Sequence, residues 1–124
     1  MSLAGALSAE LDRLSKEHGI EISAIVSRSG VPLAWHMPDE SALETFATLS
    51  ATILGASEVV YSGLGQQPPR RVTIESEAGS TFVVFGLDKK TLIVAMSRNG
   101  GYSAISQAIQ EAGPRIKEVL ANAK

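Results

Sequence analysis

The stretch that decides the fold is residues 39–65, DESALETFATLSATILGASEVVYSGLG, which reads as one long helix. From Thr45 to Ser57 it carries no charged residue, which is unusual for a surface helix of a small domain. At about 100° per residue, Phe46, Leu49, Ile53, Val60 and Leu64 fall on one apolar stripe, the stripe expected to lie on a sheet. The other side should be charged. Instead Ala47, Ala51 and Gly55 run at i, i+4 spacing, flanked by Leu43 and Leu54, while Thr45, Thr48 and Thr52 make a third, uncharged strip able to hydrogen-bond. A helix that is apolar or neutral all round is covered on more than one side. In a chain this short, the second cover is expected to be another polypeptide. The competing assignment turns the helix over: the small residues let it lie close to its own sheet, and the larger stripe becomes an exposed apolar patch.

Upstream, Leu3, Leu7, Leu11, Leu14 and His18 recur at helical spacing, so residues 2–18 form an amphipathic helix ended by Gly19. Ile20, Ile22, Ala24 and Val26 then alternate with mostly polar residues, the period of a strand. Ser29-Gly30 supplies a turn, because glycine tolerates positive φ, and residues 31–36 return as a second strand. Pro32 has no N–H to give to a ladder, which places that strand at or near an edge. The long helix begins at Asp39 as cap, or alternatively at Ser41 with Glu44 as an S-x-x-E capping box. Gly63, Gly65 and Pro68-Pro69 end it.

Three strands follow, at residues 71–76, 81–87 and 91–97. FVVF and LIVAM are free of charge, as central strands covered on both faces are. RRVTIESE alternates charge with Val72 and Ile74, as an edge strand does. Asn99-Gly100-Gly101 breaks the chain, and Ser103 is the expected N-cap of a last helix with Ile105, Ile109, Ala112, Ile116, Val119 and Leu120 on its apolar face. Pro114 should kink or split that helix. The order α-β-β-α-β-β-β-α with short turns implies one domain over residues 1–124 of α+β type. Its expected form is a three-layer α-β-α sandwich around a five-stranded antiparallel sheet, profilin-like in arrangement.

The 124 residues suffice for one core. A formal charge of −2 exerts no general pull toward nucleic acid or anionic membranes. No apolar run approaches the ~20 residues of a membrane span, and the first residues lack the basic start of a signal peptide. Without cysteine there is no disulfide, thiolate metal site or cysteine nucleophile. A cytoplasmic protein fits these features. His18 and His36 stand at element ends without a ligand cluster, so no metal is expected. No carboxylate pair is placed by motif for acid–base work, no G-x-S-x-G elbow surrounds a serine, and no Walker motif is present. Gly63-Leu64-Gly65 follows a helix and lacks the third glycine of a dinucleotide loop, so it reads as helix termination. Tyr61 and Trp35 read as packing residues. No enzyme activity and no cofactor are expected.

The element order, the turn inside IVSRSGVPLA and the helix segment TLSATILGASE together resemble the Roadblock (dynein light-chain) family over nearly the whole chain, in the manner of its short prokaryotic MglB-type members. The resemblance implies a homodimer in which the long helices pair and the edge strands after them join two sheets into one. It also implies that a small Ras-like GTPase docks on the paired helices. The surface expected on this basis comprises Leu43, Glu44, Ala47, Thr48, Ala51, Thr52, Leu54, Gly55 and Glu58 of the helix, with Arg71, Thr73 and Glu75 of the edge strand. A partner of this type is not expected to insert an arginine finger, so Arg70 and Arg71 are not read as catalytic. If two copies pair antiparallel about Thr73, Arg71 faces Glu75 of the partner subunit, a cross-strand ion pair worth roughly 0.2–1 kcal/mol; the alternative is a solvated free edge. Two other classes compete with the GTPase adaptor. One is a sensory module enclosing a small molecule, disfavoured by the plain aliphatic core positions. The other is a purely structural light-chain-like scaffold.

Overall fold

A computed structural model of the chain describes residues 2–98 and 101–122. The first helix, α1 (Leu3–His18), is capped by Ser2, whose hydroxyl accepts from the Gly5 amide, and is closed by Gly19 at φ 68°. Strands β1 (Ile22–Ser27) and β2 (Pro32–His36) form an antiparallel hairpin whose register shifts between Ile25 and Val26. Asp39 does act as a cap, but of a short 3-10 turn, Glu40–Ala42, where its carboxylate accepts from the Ser41 amide. That hydrogen bond holds the Asp39 carboxyl below the usual carboxylate range. The long helix α2 (Leu43–Gly63) follows directly. Strands β3 (Arg71–Glu75), β4 (Thr81–Gly86) and β5 (Thr91–Ser97) lead to α3 (Gly101–Ala121).

The sheet has the order β2-β1-β5-β4-β3, with every neighbouring pair antiparallel. The edges are therefore β2, which carries Pro32, and β3, which carries the alternating charges. The period-2 geometry of the strands divides their side chains between two cores. Ala24, Val26, Val84, Leu92 and Val94 meet Ala47 and Leu54 of α2 on one face. Ile25, Val83, Ile93 and Ala95 meet Leu7, Leu11 and Leu14 of α1 and Ile105, Ile109 and Ile116 of α3 on the other. This is the three-layer sandwich that the element order implies.

One expectation needs correction and a second is narrowed. Ser103 lies inside α3, which begins at Gly101; the expected break at Asn99-Gly100 lies outside the described residues. Pro114 does not split α3, which is assigned as one helix across it. Proline lacks only its own N–H, and the buried face of Ile105, Ala108, Ile109, Ala112 and Ile116 continues through that point.

Candidate interaction surface

The long helix is turned over relative to its expected placement. Leu43, Ala47, Ser50 and Leu54 are the residues buried against the sheet, and Phe46, Ala51 and Ile53 pack at the margins of that contact. Of the stripe expected to face the sheet, Leu49 is 54%, Val60 58% and Leu64 71% exposed. The reason is steric. Close approach of a helix to a sheet is easier over alanine and serine than over a row of phenylalanine, leucine and isoleucine, so the small-residue strip makes the inner contact. Ser50 fits there because its hydroxyl donates to the Phe46 carbonyl at 2.7 Å, leaving no buried donor unmet.

Of the twelve residues assigned to an interface from sequence, Leu43, Ala47 and Leu54 are thus occupied by the chain's own core. Glu44, Thr48 and Thr52 are exposed on the outer face of α2; Ala51, Gly55 and Glu58 are half-buried along one flank; Arg71, Thr73 and Glu75 are exposed on β3. Residues that the first assignment left out complete the outer face: Leu49, Ala56, Val59 and Val60. Thr52 makes this face more apolar than its sequence suggests, because its hydroxyl donates to the Thr48 carbonyl at 2.9 Å and its methyl is what remains to present. Tyr61, expected to pack, is also exposed, at 43%.

One flank of α2 is pinned. The turn after β1, Ser27-Arg28-Ser29-Gly30, reaches the helix at two places. Gly30, at φ 94°, lies where a Cβ would stand 3.1 Å from the Thr48 Cα, so only glycine fits both the conformation and the approach. Arg28 extends to the far half of the helix and donates from Nη1 to both Glu58 carboxylate oxygens, at 3.0 and 3.1 Å, and from Nη2 to the Asp88 carbonyl at 3.2 Å. Its Nη2 lies 2.8 Å from where a Cβ on Gly86 would be, so the guanidinium rests on bare strand backbone. The Asp88 carboxylate in turn holds the β4–β5 turn. Burial alone would raise its pKa, but the Thr91 hydroxyl, the Lys90 and Thr91 amides and the Arg28 charge together outweigh that and hold it below the usual carboxylate range. Arg28 therefore neutralises the one acidic side chain on the second half of α2.

On the other flank, α2 and the free edge β3 bound an apolar groove of about 380 Å³, lined by Phe46, Leu49 and Ile53 from the helix and Ile74, Phe82 and Met96 from the sheet. The Phe46 and Phe82 rings, both in that lining, meet edge to face at 5.8 Å. The exposed helix face, the groove and the unpaired strand edge adjoin: Leu49 belongs to both face and groove, and Ile74 to both groove and edge. Arg71 is turned away from the groove, with its guanidinium 5.3 Å from the Tyr102 ring centre on the opposite face of the sheet.

The histidines are less isolated than the sequence implies. His36 Nδ1 lies 3.1 Å from Asp12 and His18 Nε2 3.0 Å from Glu111, and Glu17, His18 and Glu111 bring three possible ligand atoms within 4.8 Å of one another. Glu17 already accepts from Arg13 at 3.0 Å, so the group is accounted for by contacts between neighbouring surface side chains. Helix packing between α1 and α3 creates it, and the spacing of Glu17 and Glu111 along the chain gives no sign of it. Among the described residues no helix is long and apolar enough to cross a membrane.

Comparison with solved structures places this fold among known ones. The chain aligns with an MglB in a tetrameric arrangement at a TM-score of 0.89, with 18% identity over 100% of this chain and 94% of the other. It aligns with the gliding protein MglB of Thermus thermophilus at 0.87, with 18% identity over 99% and 94%. With Myxococcus xanthus MglB the score is 0.85, with 14% identity over 97% and 91%. No curated protein matches by sequence. The family model of the Roadblock/LC7 domain matches residues 8–97, which include the pinned turn, the whole of α2 and the free edge strand; the chain belongs to the Roadblock/LC7 family.

Proposed function

We propose that the chain is a non-enzymatic adaptor of the cytoplasm that forms a homodimer through the outer face of α2 and the β3 edge, and that the paired surface binds a small Ras-like GTPase, either stimulating its hydrolysis or anchoring it. One observation carries the reading: beyond Glu44 in its first turn, the outer face of α2 presents no charge except Glu58, which Arg28 pairs, and it adjoins an apolar groove and an unpaired strand edge. A surface of that kind on an isolated small domain is a liability for aggregation, and a self-complementary two-fold contact removes it. Membership of the Roadblock/LC7 family and a fold shared with MglB proteins support an adaptor role associated with GTPases.

The test combines mass and capture. Wild-type protein should elute at twice the monomer mass by light scattering, while Leu49→Arg, a change at an exposed position, should elute as a folded monomer. Arg71→Glu should loosen the dimer and Arg71→Glu with Glu75→Arg should restore it, if Arg71 swings from Tyr102 to Glu75 of the partner subunit. Tagged wild-type protein should retain a Ras-like GTPase from lysate in a nucleotide-dependent manner if it stimulates hydrolysis, and in both nucleotide states if it anchors. A monomeric wild type, or a Leu49→Arg variant that still dimerises and still retains the GTPase, overturns the reading.

A further inference from the structure

On the sheet face opposite α2, strands β3 and β4 and helix α3 enclose a cleft of about 340 Å³, within the range of small-molecule sites. Its apolar lining includes Val83, Phe85 and Ile109, and its charged residues are Arg70, Arg71 and Lys117. No aspartate or glutamate lines it, in a chain whose formal charge is −2. Among the described residues none of these three cations is paired with a carboxylate, although four other arginines are.

The two arginines are held in place by rings instead. The Arg70 guanidinium lies 5.7 Å from the centre of Phe85, and that of Arg71 5.3 Å from the centre of Tyr102. Stacking satisfies the flat face of a guanidinium but leaves its N–H edge free, and that edge is the part that recognises carboxylate and phosphate. The side chains are therefore restrained before any anion arrives, which reduces the entropy that binding must overcome.

The helical wall has the complementary shape. Gly113 is buried within α3, yet a Cβ added there would meet nothing within 4 Å. The open volume at that point is the cleft itself. One residue on, Pro114 has no N–H, so the Gln110 carbonyl lacks its usual helical donor at the cleft wall. Cations lie at the strand side and on the helix, and an apolar recess lies between them.

We propose that this cleft binds a small organic anion: a carboxylate or phosphate group engages Arg70, Arg71 and Lys117, and an apolar ring occupies the recess over Gly113 against Val83 and Ile109. The site lies on the sheet face opposite α2 and uses Arg71 as it stacks on Tyr102, an alternative to its pairing with Glu75 of the partner subunit.

The experiment titrates the isotope-labelled full chain, followed by amide NMR shifts, with indole-3-acetate and AMP as carboxylate and phosphate probes that carry rings. Adenosine and inorganic phosphate serve as controls with one feature each. Saturable shifts at Tyr102, Gln110 and Gly113 with either ring-bearing anion are expected, and which of the two binds identifies the acidic group. Affinity should exceed that of each control by about tenfold or more, and Arg71→Gln should remove about tenfold, the worth of one charge-assisted hydrogen bond. Gly113→Leu should abolish binding by filling the recess. Arg71→Gln, at an exposed position, gives an answer even if Gly113→Leu fails to fold. Absence of saturable shifts with both ring-bearing anions overturns the proposal. So does equal binding of adenosine or of phosphate alone, or unchanged affinity in Arg71→Gln.

Discussion

Gly86→Ala should destabilise the protein, and only when Arg28 is present. A Cβ at position 86 stands 2.8 Å from Arg28 Nη2 and 3.7 Å from the nearest Leu54 atom, so the sole serious conflict is with the guanidinium. Gly86 is not at positive φ, and alanine is otherwise acceptable there. To relieve the clash the Arg28 guanidinium must shift, at the expense of its bidentate contact with Glu58 and its contact with the Asp88 carbonyl. The Arg28 and Glu58 side chains are 31% and 33% exposed. Their pair therefore falls between the ~0.2–1 kcal/mol of an exposed bridge and the ~3–5 kcal/mol lost on breaking a buried one. Discounted for that exposure, Gly86→Ala should cost about 1–2 kcal/mol. In an Arg28→Ala background the conflict is gone, and the lower chain entropy of alanine should make the same change stabilising by about 0.5–1 kcal/mol. The coupling between the two sites is then about 2 kcal/mol, measurable by urea unfolding of the four proteins of a double-mutant cycle followed by circular dichroism. If Gly86→Ala costs the same with and without Arg28, the guanidinium does not rest on that strand and the account of the pinned turn is wrong.

Two further measurements probe neighbouring features. Leu54→Ala, at a fully buried position of α2, should cost about 2–5 kcal/mol, whereas Leu49→Ala should change the stability of the monomer by less than about 0.5 kcal/mol; similar costs for both would refute the observed orientation of the helix. The Asp88 carboxyl titrates below its unfolded value of about 3.9, so its contribution to stability is complete above that value and is lost as pH falls through the folded value. The difference in urea midpoint between wild type and Asp88→Asn should therefore be widest near neutral pH and shrink below about pH 4; a constant difference would show that the charge on Asp88 is not what holds the turn.

Periodicity and punctuation made most of this fold legible in the sequence. Pro32 and the alternating charges of RRVTIESE marked the two edges because proline and charge act through the strand that carries them. The α2 faces were misassigned for the opposite reason. A hydrophobic stripe shows that a face prefers cover, but both sides of this helix meet that description, and which one touches the sheet depends on how closely the backbones can approach. Ala47 and Ser50 decide that in three dimensions. Thr52 was read as a hydrogen-bonding position because a hydroxyl in a sequence does not reveal that it has already donated to its own helix. The Arg28–Glu58 contact joins residues far apart in the chain, and the cationic cleft draws on β3, β4 and α3 together. Neither has a local signature, although the SRSG turn was singled out by its resemblance.

The strand order has a consequence for how the chain comes together. The hairpin β1–β2 and the meander β3–β4–β5 are each local and can form early, but they meet only along β1–β5, where Ile22 faces Met96 and Ser27 faces Thr91. Until that seam closes, neither half has a complete surface for a helix to cover. A join between such distant segments must overcome the loop entropy of everything between them, α2 included. The rate of folding should therefore be governed by β5, the last strand in the chain and the middle one in the sheet. Conservative changes on the β1–β5 seam should slow folding, while those at the outer edges should chiefly speed unfolding.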